Sequence, residues 1–352
     1  MGLAQMERDA VRNSKSEFRN PSLTLIVILM LTVIGLISAR GQDSSSQSTL
    51  IIVVGAAGEA EFGSNFVRQA TLWQKARPDT WREVTIGLGE PNATNDDFTQ
   101  LKQTLESEHR EGSGGLWLIM IGHGTFDGKE ARFNLRGPDV SASDLVEWLR
   151  PFHRSIAVVD TSSSSAPFLN KLSATNRVII TATRSGHEQN FARFGQYFAE
   201  TLSDPDADLD KDGSVSLLES FLIASRKTSE FYKVENRLAT EHALLDDNGD
   251  GMGTPADWFR GLRAIKKPKE NAAVDGLLAQ QFHLRNSESE QNLKPEDLAQ
   301  RDALERAVLL YREKKSQVPE ETYYRELEKL LLDLARFYQK HSKNTSTSLL
   351  TK

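Results

Sequence analysis

Short β-branched runs alternate with longer amphipathic stretches through the first half of the chain, and no other sequence feature narrows the fold as far. The runs occupy 49–55, 83–87, 116–121, 156–160 and 178–183, and helical patterns fill 62–75, 96–109 and 142–149 between them. Ser141 stands where it can cap the last of these helices. Strand and helix in succession build a parallel sheet covered on both faces, and near-continuous apolar strands suit burial on both sides. The alternation predicts a three-layer α/β domain over 49–190. From 191 the strand signal gives way to helical patterns through 262, which hold two Asp-rich loops. A Lys-rich break at 266–269 leads into a helical extension over 263–340, followed by a tail at 341–352. Leu304, Val308 and Tyr311 share one helical face there. Leu327, Leu330, Leu331, Leu334, Phe337 and Tyr338 share another, and with Pro319 between them the pattern predicts a helical hairpin.

Composition removes several function classes. The 352 residues carry a formal net charge of -6, without the basic footprint that phosphate-backbone binding needs, so nucleic acid is not an expected partner. There is no cysteine, which excludes disulfides, zinc-thiolate sites and any thiolate nucleophile. Residues 23–39 (LTLIVILMLTVIGLISA) are almost wholly apolar, and at about 1.5 Å per residue they span about 25 Å, close to a bilayer's hydrocarbon thickness. Arg8, Arg12, Lys15 and Arg19 precede them, a bias that puts the N-terminus inside and everything after Arg40 outside. Residues 1–40 therefore read as a retained membrane anchor or a cleaved signal, and 41–48 (GQDSSSQS) as a polar linker to an extracytoplasmic protein.

The stretch Asp208, Asp210, Asp212, Gly213, Ser214, Ser216 and Glu219 meets a twelve-residue cation loop at each defining position. Oxygens at positions 1, 3 and 5 converge on one hard cation, Gly213 permits the turn, and Ser214 offers its carbonyl. Ser216 can hold a bridging water, and Glu219 supplies two oxygens. Carboxylates crowded this closely repel one another without a divalent ion, so calcium is the expected cofactor. The stretch resembles the EF-hand family over 191–231, where apolar stripes flank the loop. Pro205 interrupts the entering helix, which favours an ion that holds two helices together over the opening lever of a calcium sensor. A second loop places Asp246, Asn248, Asp250, Met252 and Asp257 at positions 1, 3, 5, 7 and 12, with Thr254 at position 9. Its alternative is a plain Asx-rich turn.

Ligands of open parallel sheets bind beyond the carboxyl ends of the strands. Here the third strand ends in Gly122-His123-Gly124 and the fourth in Asp160-Thr161-Ser162-Ser163-Ser164-Ser165. This order resembles the caspase and legumain superfamily of cysteine peptidases, in which a His-Gly pair closes one strand and an Ala-Cys-x-Ser-Gly-like turn closes the next. The resemblance spans 49–202. It implies His123 as general base, the Gly124 amide as oxyanion donor, and Ser162 at the position of the nucleophile. Ser165 replaces the turn's glycine, and no thiol is present. Two readings follow. One is a non-catalytic peptidase homologue, stiffened by calcium and acting in binding or scaffolding toward a protein or peptide partner. The other is a peptidase or amidase using Ser162 with His123, Asp160 being the nearest carboxylate to orient it. Gly55-Ala56-Ala57-Gly58 lacks the glycine that lets a dinucleotide pyrophosphate approach. Asn92 and Asn344 head glycosylation acceptor patterns.

Overall fold

Every residue of the first strand, β1 (Thr49–Val54), is buried, as a strand covered on both faces must be. In this computed structural model the described residues are 47–90, 95–269, 273–285, 287, 290 and 293–349. The apolar segment 23–39 lies outside them, as do linker residues 41–46 and Asn92. Among the described residues no helix is long and apolar enough to cross a membrane.

From β1 the chain runs through α1 (Ala60–Ala76), β2 (Arg82–Ile86), α2 (Asp97–Ser107), β3 (Leu116–Ile121), β4 (Gly124–Phe126), β5 (Ala131–Phe133) and β6 (Val140–Ser141). It continues as α3 (Ala142–Leu149), β7 (Ile156–Asp160), α4 (Ala166–Leu172), β8 (Arg177–Thr181), α5 (Phe194–Thr201) and α6 (Leu217–Val234). Next come β9 (Leu244–Asp246), β10 (Thr254–Pro255), α7 (Pro295–Arg312) and α8 (Glu320–Leu349). The principal sheet has the order β10-β9-β8-β7-β3-β1-β2. β2, β1, β3, β7 and β8 are mutually parallel, whereas β9 and β10 pair antiparallel at the edge. The expected α/β class with a mostly parallel sheet is what forms.

Alternate strand residues feed two cores. Ile52, Ile119, Val159 and Ile180 pack with Phe66 and Trp73 of α1, Phe198 of α5 and Phe221 of α6. Ile51, Leu118, Val158 and Ile179 pack with Leu101 of α2, Leu145 of α3 and Phe168 of α4. Helices thus cover both faces. The Ser141 hydroxyl accepts the Asp144 amide while the Asp144 carboxylate accepts the Ser141 amide, the capping box that starts α3.

Two features depart from the sequence reading. β4, β5 and β6 form a small antiparallel sheet of their own, displaced from the main one. Residues 244–264, read as helical, instead supply β9, β10 and a short hairpin at 259–264, so the second Asp-rich loop joins two strands and not two helices. Leu244 and Leu245 complete a sheet edge, where their apolar run satisfies a strand as well as a helix turn. The C-terminal hairpin forms as expected, yet only Phe337 of its second stripe is fully buried and Leu331 is about half exposed.

Candidate functional site

β3 and β7 lie side by side with Met120 opposite Asp160, so the polar turns that follow them emerge together. Gly124 packs so tightly against the second turn that a Cβ there would lie 2.2 Å from the Ser163 carbonyl oxygen and 2.9 Å from Ser162 Oγ. Only glycine fits. The two turns that the family resemblance pairs in sequence are therefore neighbours in space.

Most of their polar atoms pair with one another, while Asp160 Oδ2 and Ser164 Oγ are buried without a hydrogen-bond partner. Ser162 is fully buried, and its Oγ donates to Asp160 Oδ1 at 2.6 Å while its amide donates to the same oxygen at 3.0 Å. The Gly124 amide donates to Ser163 Oγ at 3.2 Å, and that hydroxyl donates back to the Gly124 carbonyl at 3.1 Å. Ser165 shares a hydrogen bond with Thr183, and Ser164 adopts a left-handed φ of 57° with its amide bonded to the Glu188 carbonyl. His123 faces elsewhere. Its Nε2 lies 3.3 Å from the Ala57 carbonyl oxygen, and its ring sits 4.9, 5.2 and 6.1 Å from those of Phe62, Phe66 and Phe191. Among the described residues no hydrogen bond joins His123 to Ser162. The turn brings Gly124 to Ser162 and Ser163 but leaves the base and the hydroxyl with separate partners. Ser163 as the partner of Gly124 carries no sequence signal, because a run of four serines does not say which hydroxyl turns inward.

The first acidic loop is drawn together more closely. Asp208, Asp210 and Asp212 each place a carboxylate oxygen within 4.8 Å of the others. Asp208 accepts the amides of Asp212 at 3.2 Å and Gly213 at 3.1 Å, and Gly213 takes a φ of 91° that a side chain would strain. Glu219 closes the loop. Its Oε1 accepts the amides of Leu209 at 2.6 Å and Asp210 at 3.3 Å, and its Oε2 accepts the Ser216 amide and hydroxyl, each at 2.8 Å. The Glu219 amide donates to the Ser216 hydroxyl at 3.2 Å, which with the Ser216 amide bond makes a capping box, so one residue starts α6 and ties the head of the loop to it. Ser214 is buried, with its hydroxyl 3.5 Å from Glu290. As Pro205 foretells, α5 stops at Thr201 and a short turn over Pro205–Ala207 leads into the loop.

Burial first, and then the charges of Asp210, Glu219 and Asp208, push Asp212 up to about 6. His283 Nε2 stands 3.8 Å from Asp212, but burial and Arg301 hold its pKa down to about 4, so it brings no charge near neutrality. Among the described residues no lysine or arginine forms an ion pair with Asp208, Asp210 or Asp212, and the oxygen set fits a hard divalent ion.

In the second loop Asp246 ends β9 and is buried, whereas Asp250 and Asp257 are exposed. Asn248 accepts the Asp250 amide and Asp250 accepts the Met252 amide, each at 2.8 Å. Asp257 lies in a separate turn over Ala256–Trp258, and among the described residues no hydrogen bond joins it to the loop. Two further carboxylates belong to the site. Asp247 accepts the amides of Gly276, Leu278 and Ala279 at 2.7 to 2.8 Å, and Asp275 reaches back to the loop. Burial chiefly, with help from their mutual repulsion, raises the pKa of Asp275. Asp247 was visible beside Asp246 as a doubled aspartate, but Asp275 stands alone in the sequence with nothing to connect it to the loop.

No family model and no curated protein matches the chain. One structural neighbour is a caspase: caspase-1 from Spodoptera frugiperda, at a TM-score of 0.35 and 8% identity, over 58% of this chain and 87% of that one. A likeness at that level says nothing about activity.

Asp160 gives the strand-end turn a pH signature. Burial raises its carboxyl from 3.8 to about 6 despite the Ser162 hydrogen bonds that lower it. The folded chain then holds this proton more tightly than the unfolded one, so the associated stability is complete below about pH 4 and lost as pH rises through about 6. Asp160→Asn is expected to flatten that decline by up to about 3 kcal/mol, read from urea melts across the range. Parallel pH profiles for the two proteins would contradict the burial of this charge.

Proposed function

We propose that this chain is a calcium-binding, non-catalytic homologue of caspase-fold peptidases that acts in binding or scaffolding outside the cytoplasm. The observation that carries the reading is Ser162. At the position where the resemblance expects a nucleophile, a fully buried hydroxyl donates to Asp160 and not to His123, in a chain without cysteine. General-base activation needs the hydroxyl to donate toward the base, and here its proton points at a carboxylate two residues away. The Gly124 amide, implied as oxyanion donor, is spent on Ser163. Both turns thus act as internal cross-links between β3 and β7.

The calcium part of the proposal rests on the three aspartates within 4.8 Å and the closing Glu219. An ion there would join the end of α5 to the start of α6 and so stiffen one face of the sheet. A loop of this kind facing an extracellular medium can work at a dissociation constant of about 10⁻⁴ to 10⁻³ M. The location rests on residues 23–39 of the sequence, and the partner would be a protein or peptide met on that side of the membrane.

Two measurements test the proposal. Calcium in excess is expected to raise the melting temperature over that of chelated protein, since an ion at about 100 times its dissociation constant adds about 2.7 kcal/mol. Asp208→Ala is expected to diminish the rise, and an undiminished rise would remove the first loop from the account. A fluorophosphonate probe is expected to leave the calcium-loaded protein unlabelled. Labelling that disappears in Ser162→Ala would establish the hydrolase in its place.

A further inference from the structure

The second loop has a closing carboxylate of its own, and it is not the one that twelve-residue spacing selects. In the first loop Glu219 accepts the amides of the second and third residues, Leu209 and Asp210, and the hydroxyl of the ninth, Ser216. In the second, Asp275 accepts the amides of the second and third residues, Asp247 at 3.1 Å and Asn248 at 3.2 Å. It also accepts the hydroxyl of the ninth, Thr254, at 2.5 Å. The same three loop positions hold the closing group in both places. Asp257, twelfth by count, takes none of these contacts and is exposed.

We propose that residues 246–254 together with Asp275 form a second site for a hard divalent cation of calcium's size. Asp246, Asn248, Asp250 and the Met252 carbonyl supply the loop ligands, and Asp275 takes the role that Glu219 has in the first. The proposal deepens the reading of the acidic loops as cation sites, but on a different set of residues.

A second observation points to a ligand independently of the loop's shape. Asp246 is 1% exposed, and its Oδ2 makes no hydrogen bond of ordinary geometry, the Ser173 hydroxyl being near enough only to lower the carboxyl's pKa. Its other oxygen accepts the Gly249 amide at 3.1 Å, which turns the carboxyl into the loop, where Asp250 and Asp275 act on it electrostatically. A buried carboxylate oxygen without a donor is costly, and more so beside other negative charges. Among the described residues no lysine, arginine or histidine pairs with Asp246, Asp250 or Asp275. A cation would supply the positive charge that none of these groups does. Asp246, Asp250 and Asp275 are not drawn as tightly together as the first loop's triad. The all-oxygen set, with a neutral amide and a backbone carbonyl, suits calcium's flexible coordination better than magnesium's strict octahedron. Because the closing group comes from a separate segment, an aspartate suffices where a helix-borne ligand must be glutamate. For the same reason, ion binding and the docking of 273–285 onto the sheet edge become one event.

Calorimetric titration of the metal-stripped full chain with calcium chloride tests this. Two sites are expected in the wild type, one in Asp275→Asn and in Asp250→Asn, and two in Asp257→Asn. Asp250 is exposed, so its variant keeps the test open if Asp275→Asn does not fold, as circular dichroism would show. In Asp208→Ala the one remaining site is the second. A wild type with a single site that Asp275→Asn loses and Asp208→Ala keeps would sustain this inference while removing the first loop's ion. Two sites persisting in both Asp275→Asn and Asp250→Asn would overturn it, as would a site lost in Asp257→Asn.

Discussion

Backbone and hydroxyl donors surround four buried carboxylates that fasten the second half of this molecule together. Glu241 accepts the amides of Arg193 and Phe194 at the start of α5 and the Tyr232 hydroxyl of α6. Glu219 joins the first loop to α6, Asp247 caps the turn over 276–279, and Asp275 holds the second loop. Each replaces a stretch of regular structure by hydrogen bonds from backbone amides. The segment 273–285 gathers several of these contacts. It receives Asp247, gives Asp275, bonds Asp210 through Gln280, and lays His283 beside Ser216 in an isolated bridge. One short strap thus touches both acidic loops.

Local hydrogen bonds of the same kind occupy the strand-end turns. A parallel sheet covered on both faces exposes its polar chemistry only at the carboxyl ends of its strands. Here those ends carry the expected residues, His123 and Gly124 after β3 and Ser162 after β7. The Ser162 hydroxyl then donates to one oxygen of Asp160, Ser163 pairs with the Gly124 backbone and Ser165 with Thr183, and phenylalanine rings flank the half-buried histidine. Under the non-catalytic reading proposed above, these contacts leave little donor capacity for a substrate, with Asp160 Oδ2 and Ser164 Oγ the buried polar atoms that keep no partner.

What the sequence discloses and what it hides divide along the range of the interaction. Strands β1, β3, β7 and β8 are legible because burial on both faces demands unbroken apolar runs, and α3 because Ser141 and Asp144 cap it locally. The first acidic loop is legible because its three clustered aspartates and the Glu219 that closes it fall within twelve residues. The small sheet of β4, β5 and β6 is not, since three-residue strands such as Gly124–Phe126 leave no period to detect. Asp257 is selected for the second loop by counting, whereas the group that reaches that loop is Asp275. Its partners lie 21 to 28 residues away in the chain, and no local pattern records a contact of that kind.

The cations proposed for the two loops would neutralise facing carboxylates and tighten the strap against the sheet. Hydrogen exchange followed by mass spectrometry, with and without calcium, reads this directly at 273–285 and in both loops. Bound calcium should slow exchange in all three stretches together while β1 and β3 stay unchanged. Exchange that is indifferent to the ion throughout would mean that hydrogen bonds alone suffice and that the acidic loops are ordinary turns.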